Sequence, residues 1–181
     1  MRAANAQKQP LLIVLAGLPG SGKTTLAREL ARTLAGCHVR IDSIEAALRS
    51  SGVPSPSMDD LGYRAAYVVA EDNLRVGRTV VADSVNPIQL TRDAWRAVAS
   101  KAAVPAVEIE IICSDVAEHR RRVETRRPDS PGRVLPTWND VLNREYAPWD
   151  RRPIIVDTAS HDVTACIQQI LSALPSGNVG G

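Results

Sequence analysis

Short apolar runs alternate with longer stretches of helical periodicity along this chain. The runs are Leu11–Ala16, His38–Ile41, Thr79–Ala82, Ala106–Ile112 and Ile154–Val156. Leu11–Ala16 is apolar throughout, as a strand buried on both faces of a parallel sheet has to be. After it Leu26, Leu30 and Leu34 recur every four residues, the stripe of an amphipathic helix. Helices are predicted over about 23–35, 43–50, 59–77, 87–102, 115–127, 138–146 and 161–174. Asn86-Pro87 reads as an N-cap with proline at the first helical position, Ser114-Asp115 as the cap of the helix after the fourth strand, and Gly77 as the stop of the 59–77 helix.

Strands that alternate with helices give an α/β protein with a parallel sheet. Two segments interrupt the rhythm: Ser50–Met58 is rich in Pro and Ser, and Arg127–Pro136 in Pro and Gly, so both read as loops. The expected organisation is a disordered lead at 1–10, one domain over 11–174 and a flexible tail at 175–181. No internal repeat is present.

Composition changes this picture little. A chain of 181 residues with 44% hydrophobic residues builds one domain with an ample core, and with 3% aromatics and no Phe that core is made of Ala, Val, Leu and Ile. A net charge of +2 carries no general attraction for nucleic acid or a membrane surface. Cys37, Cys113 and Cys166 are odd in number and far apart, which argues against a disulfide framework or a zinc site; they read as small buried hydrophobes. No apolar run reaches the ~18 residues of a membrane span. The polar start MRAANAQKQP lacks the apolar core of a signal peptide, so a cytoplasmic protein is expected. No feature of the sequence sets an oligomeric state.

The candidate chemistry begins at GLPGSGKT, residues 17–24. Gly17, Gly20 and Gly22 permit a tight turn whose N–H groups form a concave anion site, and the helix behind it adds its positive end. Lys23 supplies a point charge for β- and γ-phosphates, and Thr24 a hydroxyl for Mg²⁺. The nucleotide-binding candidates are therefore Gly17, Pro19, Gly20, Ser21, Gly22, Lys23, Thr24 and Thr25, with ATP and Mg²⁺ as cofactors. Only Lys8, Lys23 and Lys101 are lysines in a chain that otherwise uses Arg, so a Lys stands where a compact ammonium suits the chemistry.

In an open parallel sheet ligands bind beyond the carboxyl ends of the strands. Acids follow the later strands there: Asp42, Asp83, Asp115 and Asp157. Asp83 ends TVVAD, a hydrophobic strand plus Asp suited to hold Mg²⁺; a helix-capping Asp is the plainer reading. Ser84, not Glu, follows it, which weakens a water-activating hydrolase. Asp42 ends VRID, where a carboxylate can take the proton of an incoming hydroxyl, or simply cap the next helix. In EHRRRVETRR, residues 118–127, Arg122 and Arg126 lie four apart and so on one helical face leading into the second loop. Such cations stabilise transition-state charge if the loop closes as a lid; for most of the Arg in this run a solvated face suffices. Arg133, inside the loop, is a weaker candidate. Tyr63, Tyr67, Trp138 and Trp149 either fill the core or stack on a ligand ring.

GLPGSGKTTLA, VRID, TVVADSVNP and CSDxxxHRRRVETR together resemble the small P-loop kinases often described as AAA-type ATPases or predicted kinases. These are similar to the kinase domain of polynucleotide kinases and, more distantly, to zeta toxins and chloramphenicol phosphotransferase. The resemblance covers nearly all of 11–158. It implies a three-layer α/β/α P-loop NTPase fold with a five-stranded parallel sheet and a helical lid near 120–147. It implies ATP·Mg²⁺ as donor and a hydroxyl acceptor. It further implies Asp42 as general base, Arg122 and Arg126 as lid cations that meet the nucleotide, Asp83 and Asn86 in an Asp/Asn-Thr-Asn-Pro-like element, and adenine contacts near Asp157–Ala159. Catalytic candidates are thus Lys23, Asp42, Arg122 and Arg126, and metal candidates Thr24 and Asp83. Polynucleotide kinases often carry Arg three residues after the base; here Glu45 stands there and would repel a nucleic-acid phosphate. A small hydroxyl-bearing acceptor is the leading expectation. The alternatives are a polynucleotide 5′-hydroxyl kinase and an ATP-binding regulatory switch without an acceptor; no guanine-reading Asn-Lys-x-Asp element is present.

Overall fold

The computed structural model describes residues 9–51, 58–128 and 135–175, apart from the side chains of 58 and 59. Most of the loops expected at Ser50–Met58 and Arg127–Pro136, Arg133 among them, lies outside the described residues, as do most of the lead and tail.

The strands are β1 (Leu12–Ala16), β2 (Cys37–Arg40), β3 (Val80–Asp83), β4 (Ala106–Ile112) and β5 (Ile154–Asp157). The helices are α1 (Lys23–Thr33), α2 (Ile41–Ser50), α3 (Met58–Arg75), α4 (Gln89–Lys101), α5 (Val116–Thr125), α6 (Trp138–Leu142) and α7 (Val163–Ala173). The strands form one parallel sheet in the order β2-β3-β1-β4-β5. β1, wholly buried, is its centre. Leu11, Ile13 and Leu15 face one layer, with Leu26 and Leu30 of α1 and Ile167 and Ile170 of α7. Leu12 and Val14 face the other, with Ala66 and Ala70 of α3 and Trp95 and Val98 of α4. The alternation along a single strand therefore builds the three-layer α/β/α sandwich.

Register decides where the acids go. Arg40 and Leu15 both pair with Asp83, and Ile112 pairs with Asp157. The carboxyl ends lie along one edge, and the loops that follow them share it.

Several boundaries differ from expectation: α2 begins at Ile41 rather than 43, and the start of α4 and the end of α6 differ for tertiary reasons. α4 begins at Gln89, and Asn86 is not its cap. Asn86 sits at φ 47°, fully buried. Its Nδ2 donates to the Leu15 carbonyl at 2.9 Å, and its Oδ1 accepts from Trp95 Nε1 at 3.1 Å. It ties the β3–α4 turn to the central strand. α6 stops at Leu142, not 146. Buried Arg92 holds the next segment by donating to the carbonyls of Ala147 and Pro148, while also bonding those of Asn86 and Pro87. Its guanidinium lies 4.0 Å from the Trp149 ring centroid and 5.2 Å from that of Tyr146. α5 ends at Thr125, so Arg126 is its C-cap; its N–H still bonds the Arg122 carbonyl at 3.3 Å, and the chain turns extended after it. Gly77 does close α3, at φ 82°, with Arg78 N–H bonding back to Asn73.

Asn86→Ala is expected to cost about 2–4 kcal/mol, since it removes the partners of Trp95 Nε1 and the Leu15 carbonyl and leaves Ala in the left-handed region, which Asn tolerates better. Asn86→Gly avoids the last penalty and should lose about 1 kcal/mol less. Urea unfolding of both variants checks this; parental stability in Asn86→Ala would contradict the account.

Candidate functional site

The loop from Gly17 to Gly22 leaves the end of β1 and turns straight into α1, whose N-cap, Gly22, stands at φ 98° without a side-chain cap. Gly17 approaches β4 so closely that a Cβ there would run into the Ile111 carbonyl oxygen. Among the described residues the N–H groups of Gly20, Gly22, Lys23 and Thr24 have no hydrogen-bond acceptor. Four unpaired amides at the positive end of a helix, on the edge where the strands finish, form an anion site.

Lys23 is buried, and its Nζ donates to the Leu18 carbonyl at 2.8 Å. Burial pulls its pKa down to about 8, against the opposing pull of Asp83 and then Asp42; Arg126 and Arg144 lower it slightly further. Asp83, Asp42, Arg126 and Arg144 therefore all lie within electrostatic reach of Lys23. Arg144, in the segment after α6, carried no motif and was missed from sequence. Burial would raise the Asp83 carboxyl, but the hydrogen bond from His38, the charge of Lys23 and the hydroxyl of Thr24 outweigh it and hold it ionised below the usual carboxylate range. His38 Nε2 lies 3.2 Å from Asp83 Oδ2, and Arg40 Nε 3.7 Å from it. Thr24 and Asp83 thus place two hard oxygen donors side by side, a set that suits Mg²⁺.

Asp42 lies in the first turn of α2, behind the N-cap Arg40, so it does not cap that helix. Its carboxylate is 42% exposed, open to an incoming group, and 3.6 Å from Arg40 Nη2. Glu45 is mostly covered, 3.6 Å from Arg49, and packs against Gly62 of α3.

Arg122 is not brought to Lys23 as Arg126 is. Its Nε donates to Glu118 at 2.7 Å, and Nη1 and Nη2 donate to Thr158 Oγ1 and O at 2.7 and 3.0 Å. Thr158 Oγ1 in turn donates to the Ser21 carbonyl at 2.9 Å. Arg122 thereby braces the loop from behind. Arg126 Nη2 lies 3.5 Å from the Pro136 carbonyl. Asp157 ties the ends of β4 and β5, accepting from Ser114 N–H and Oγ and from Ala159 N–H. Asp115 caps α5 by accepting from Glu118 N–H. Tyr63 and Tyr67 pack on the α3/α4 layer, whereas Trp138 stands edge-on to His119 at 5.2 Å.

A parallel α/β/α sandwich with this loop at the end of its central strand is a P-loop kinase fold. The chain belongs to the AAA domain family, which matches residues 12–144. No curated protein matches it. Among solved structures it is similar to the Mycobacterium tuberculosis APS kinase CysC in complex with AMPPNP and APS (TM-score 0.70, 16% identity, 91% of this chain and 96% of that one). It is also similar to Chaetomium thermophilum Kti12 in complex with ADP-AlF3 (0.66, 23%, 91% and 100%). A third is a gluconokinase from Sinorhizobium meliloti (0.61, 18%, 92% and 91%). At these identities the likeness is one of fold.

Because burial lowers Lys23 to about 8 and a polyphosphate beside it would favour the ammonium, nucleotide binding at pH 8–9 should take up a proton. Affinity should fall as pH rises through that range. Calorimetry in buffers of different ionisation enthalpy reads this directly, and Lys23→Met should abolish the uptake. Proton release, or no uptake in the parent, would contradict the assignment.

Proposed function

We propose that this protein is an ATP-dependent kinase that moves the γ-phosphate to a hydroxyl of a small molecule. The observation that carries the reading is Asp42, a half-exposed carboxylate at the start of α2 within electrostatic reach of Lys23. In this reading the amides of Gly20, Gly22, Lys23 and Thr24 bind the phosphate chain. Asp42 accepts the proton of the acceptor hydroxyl as its oxygen attacks phosphorus in line and ADP leaves. Lys23 and Arg126 meet the charge that builds on the transferring oxygens, and Arg122 keeps the loop in shape from behind. Thr24 and Asp83 would hold Mg²⁺, which neutralises phosphate charge when bound.

Several facts support transfer over hydrolysis. Ser84 follows Asp83, so no carboxylate stands next to it to activate water. An APS kinase and a gluconokinase are among the proteins of similar fold. The net charge of +2 speaks against a nucleic-acid acceptor. We further take 11–174 as one catalytic domain with its lid near 120–147. We assign a cytoplasmic setting because Cys37, Cys113 and Cys166 are all free thiols. No helix among the described residues is long and apolar enough to cross a membrane.

Asp42→Asn should lower transfer by roughly 100-fold or more, the usual scale for removing a general base, while nucleotide affinity changes little. Transfer to the acceptor, followed beside binding of a non-hydrolysable ATP analogue, separates the two. Undiminished transfer, or lost nucleotide binding with intact folding, would refute the role.

A further inference from the structure

His119 takes no part in the chemistry above, yet it is a buried polar side chain set against the phosphate loop. Its Nε2 lies 2.8 Å from the carbonyl oxygen of Pro19. A carbonyl only accepts, so Nε2 carries the proton and donates. On the same face of α5, Val123 sits 2.5 Å, and His119 Cδ2 3.2 Å, from where a Cβ on Gly20 would lie. The other edge of the environment is Trp138 of α6, whose ring stands at 80° to the imidazole.

Pro19 is the odd residue in an anion-binding loop. It has no N–H to offer a phosphate, so its only polar group is a carbonyl whose partial negative charge opposes the ligand if it faces inward. The neighbouring carbonyls are tied elsewhere: Leu18 to Lys23 Nζ, Ser21 to Thr158 Oγ1, and Gly22 to the N–H groups of Thr25 and Leu26. Gly20, with its free φ, leaves the Pro19–Gly20 peptide plane able to rotate unless something holds it.

We infer that His119 is a positioning residue for nucleotide binding: its Nε2–H holds the Pro19 carbonyl towards α5 and thereby keeps the Gly20 N–H turned towards the phosphates. The inference rests on the nucleotide-binding reading of the loop but not on the identity of any acceptor. The carbonyl and the following N–H belong to one rigid peptide plane and point opposite ways, so fixing one aims the other. His119 acts through the loop and touches no reacting atom.

The test compares His119→Phe and His119→Met, which fill the space without a donor, with His119→Gln, which keeps a side-chain N–H of similar reach. Binding of the ATP analogue AMPPNP with Mg²⁺ is measured by calorimetry, and the thermal midpoint without nucleotide by circular dichroism. Loss of one aimed donor to a phosphate predicts about tenfold weaker binding in Phe and Met, at midpoints near that of the parent, and recovery in Gln to within about threefold. The Met variant carries the comparison if Phe does not fold. Parental affinity in the donorless variants would overturn the inference, as would a Gln variant as weak as they are. Failure of the parent itself to bind the analogue would instead refute the nucleotide-binding reading and the inference with it.

Discussion

Every feature of this site follows from the cost of leaving backbone donors unpaired. A loop that binds a chain of phosphates must keep several N–H groups bare and aimed at one point, against the general tendency of the chain to pair them internally. Here the bare amides are those of Gly20, Gly22, Lys23 and Thr24. The parallel sheet makes the arrangement affordable by burying β1 entirely and delivering all its loops to one edge. What remains is to keep the carbonyls out of the way, and that falls to side chains from distant segments: His119 on Pro19, Thr158 on Ser21, with Arg122 behind Thr158.

The same edge must hold opposite charges close together. Lys23 is depressed by burial and Asp83 is kept ionised by His38, Lys23 and Thr24, so the two sustain each other where neither would do well alone. Asp42 differs from both. It is half-exposed in the first turn of α2, 3.6 Å from Arg40 Nη2. In the proposed reaction the buried pair serves binding, and the half-exposed carboxylate takes the acceptor's proton.

Much of this was legible in the sequence because it is local. The apolar run of β1, the helix stripe of α1, the spacing of GLPGSGKT and the Asp115 cap each depend on residues a few positions apart. What escaped depends on contacts far along the chain. Asn86 beside Pro87 has the look of a cap, but its side chain is claimed by Leu15 and Trp95. Arg92 has the look of an ordinary helix arginine, yet it is buried against four carbonyls from two segments. His119 in an Arg-rich run gives no periodic signal that it reaches back to Pro19, a hundred residues earlier.

The most direct measurement of the central claim is the fate of the γ-phosphate. The protein is incubated with γ-labelled ATP and Mg²⁺, with and without a pool of hydroxyl metabolites, antibiotics, nucleosides and 5′-hydroxyl oligonucleotides. The account predicts label leaving ATP for a new small compound only when the pool is present, and the mass of that compound names the substrate class. Label released solely as inorganic phosphate, at a rate the pool does not change, would contradict it.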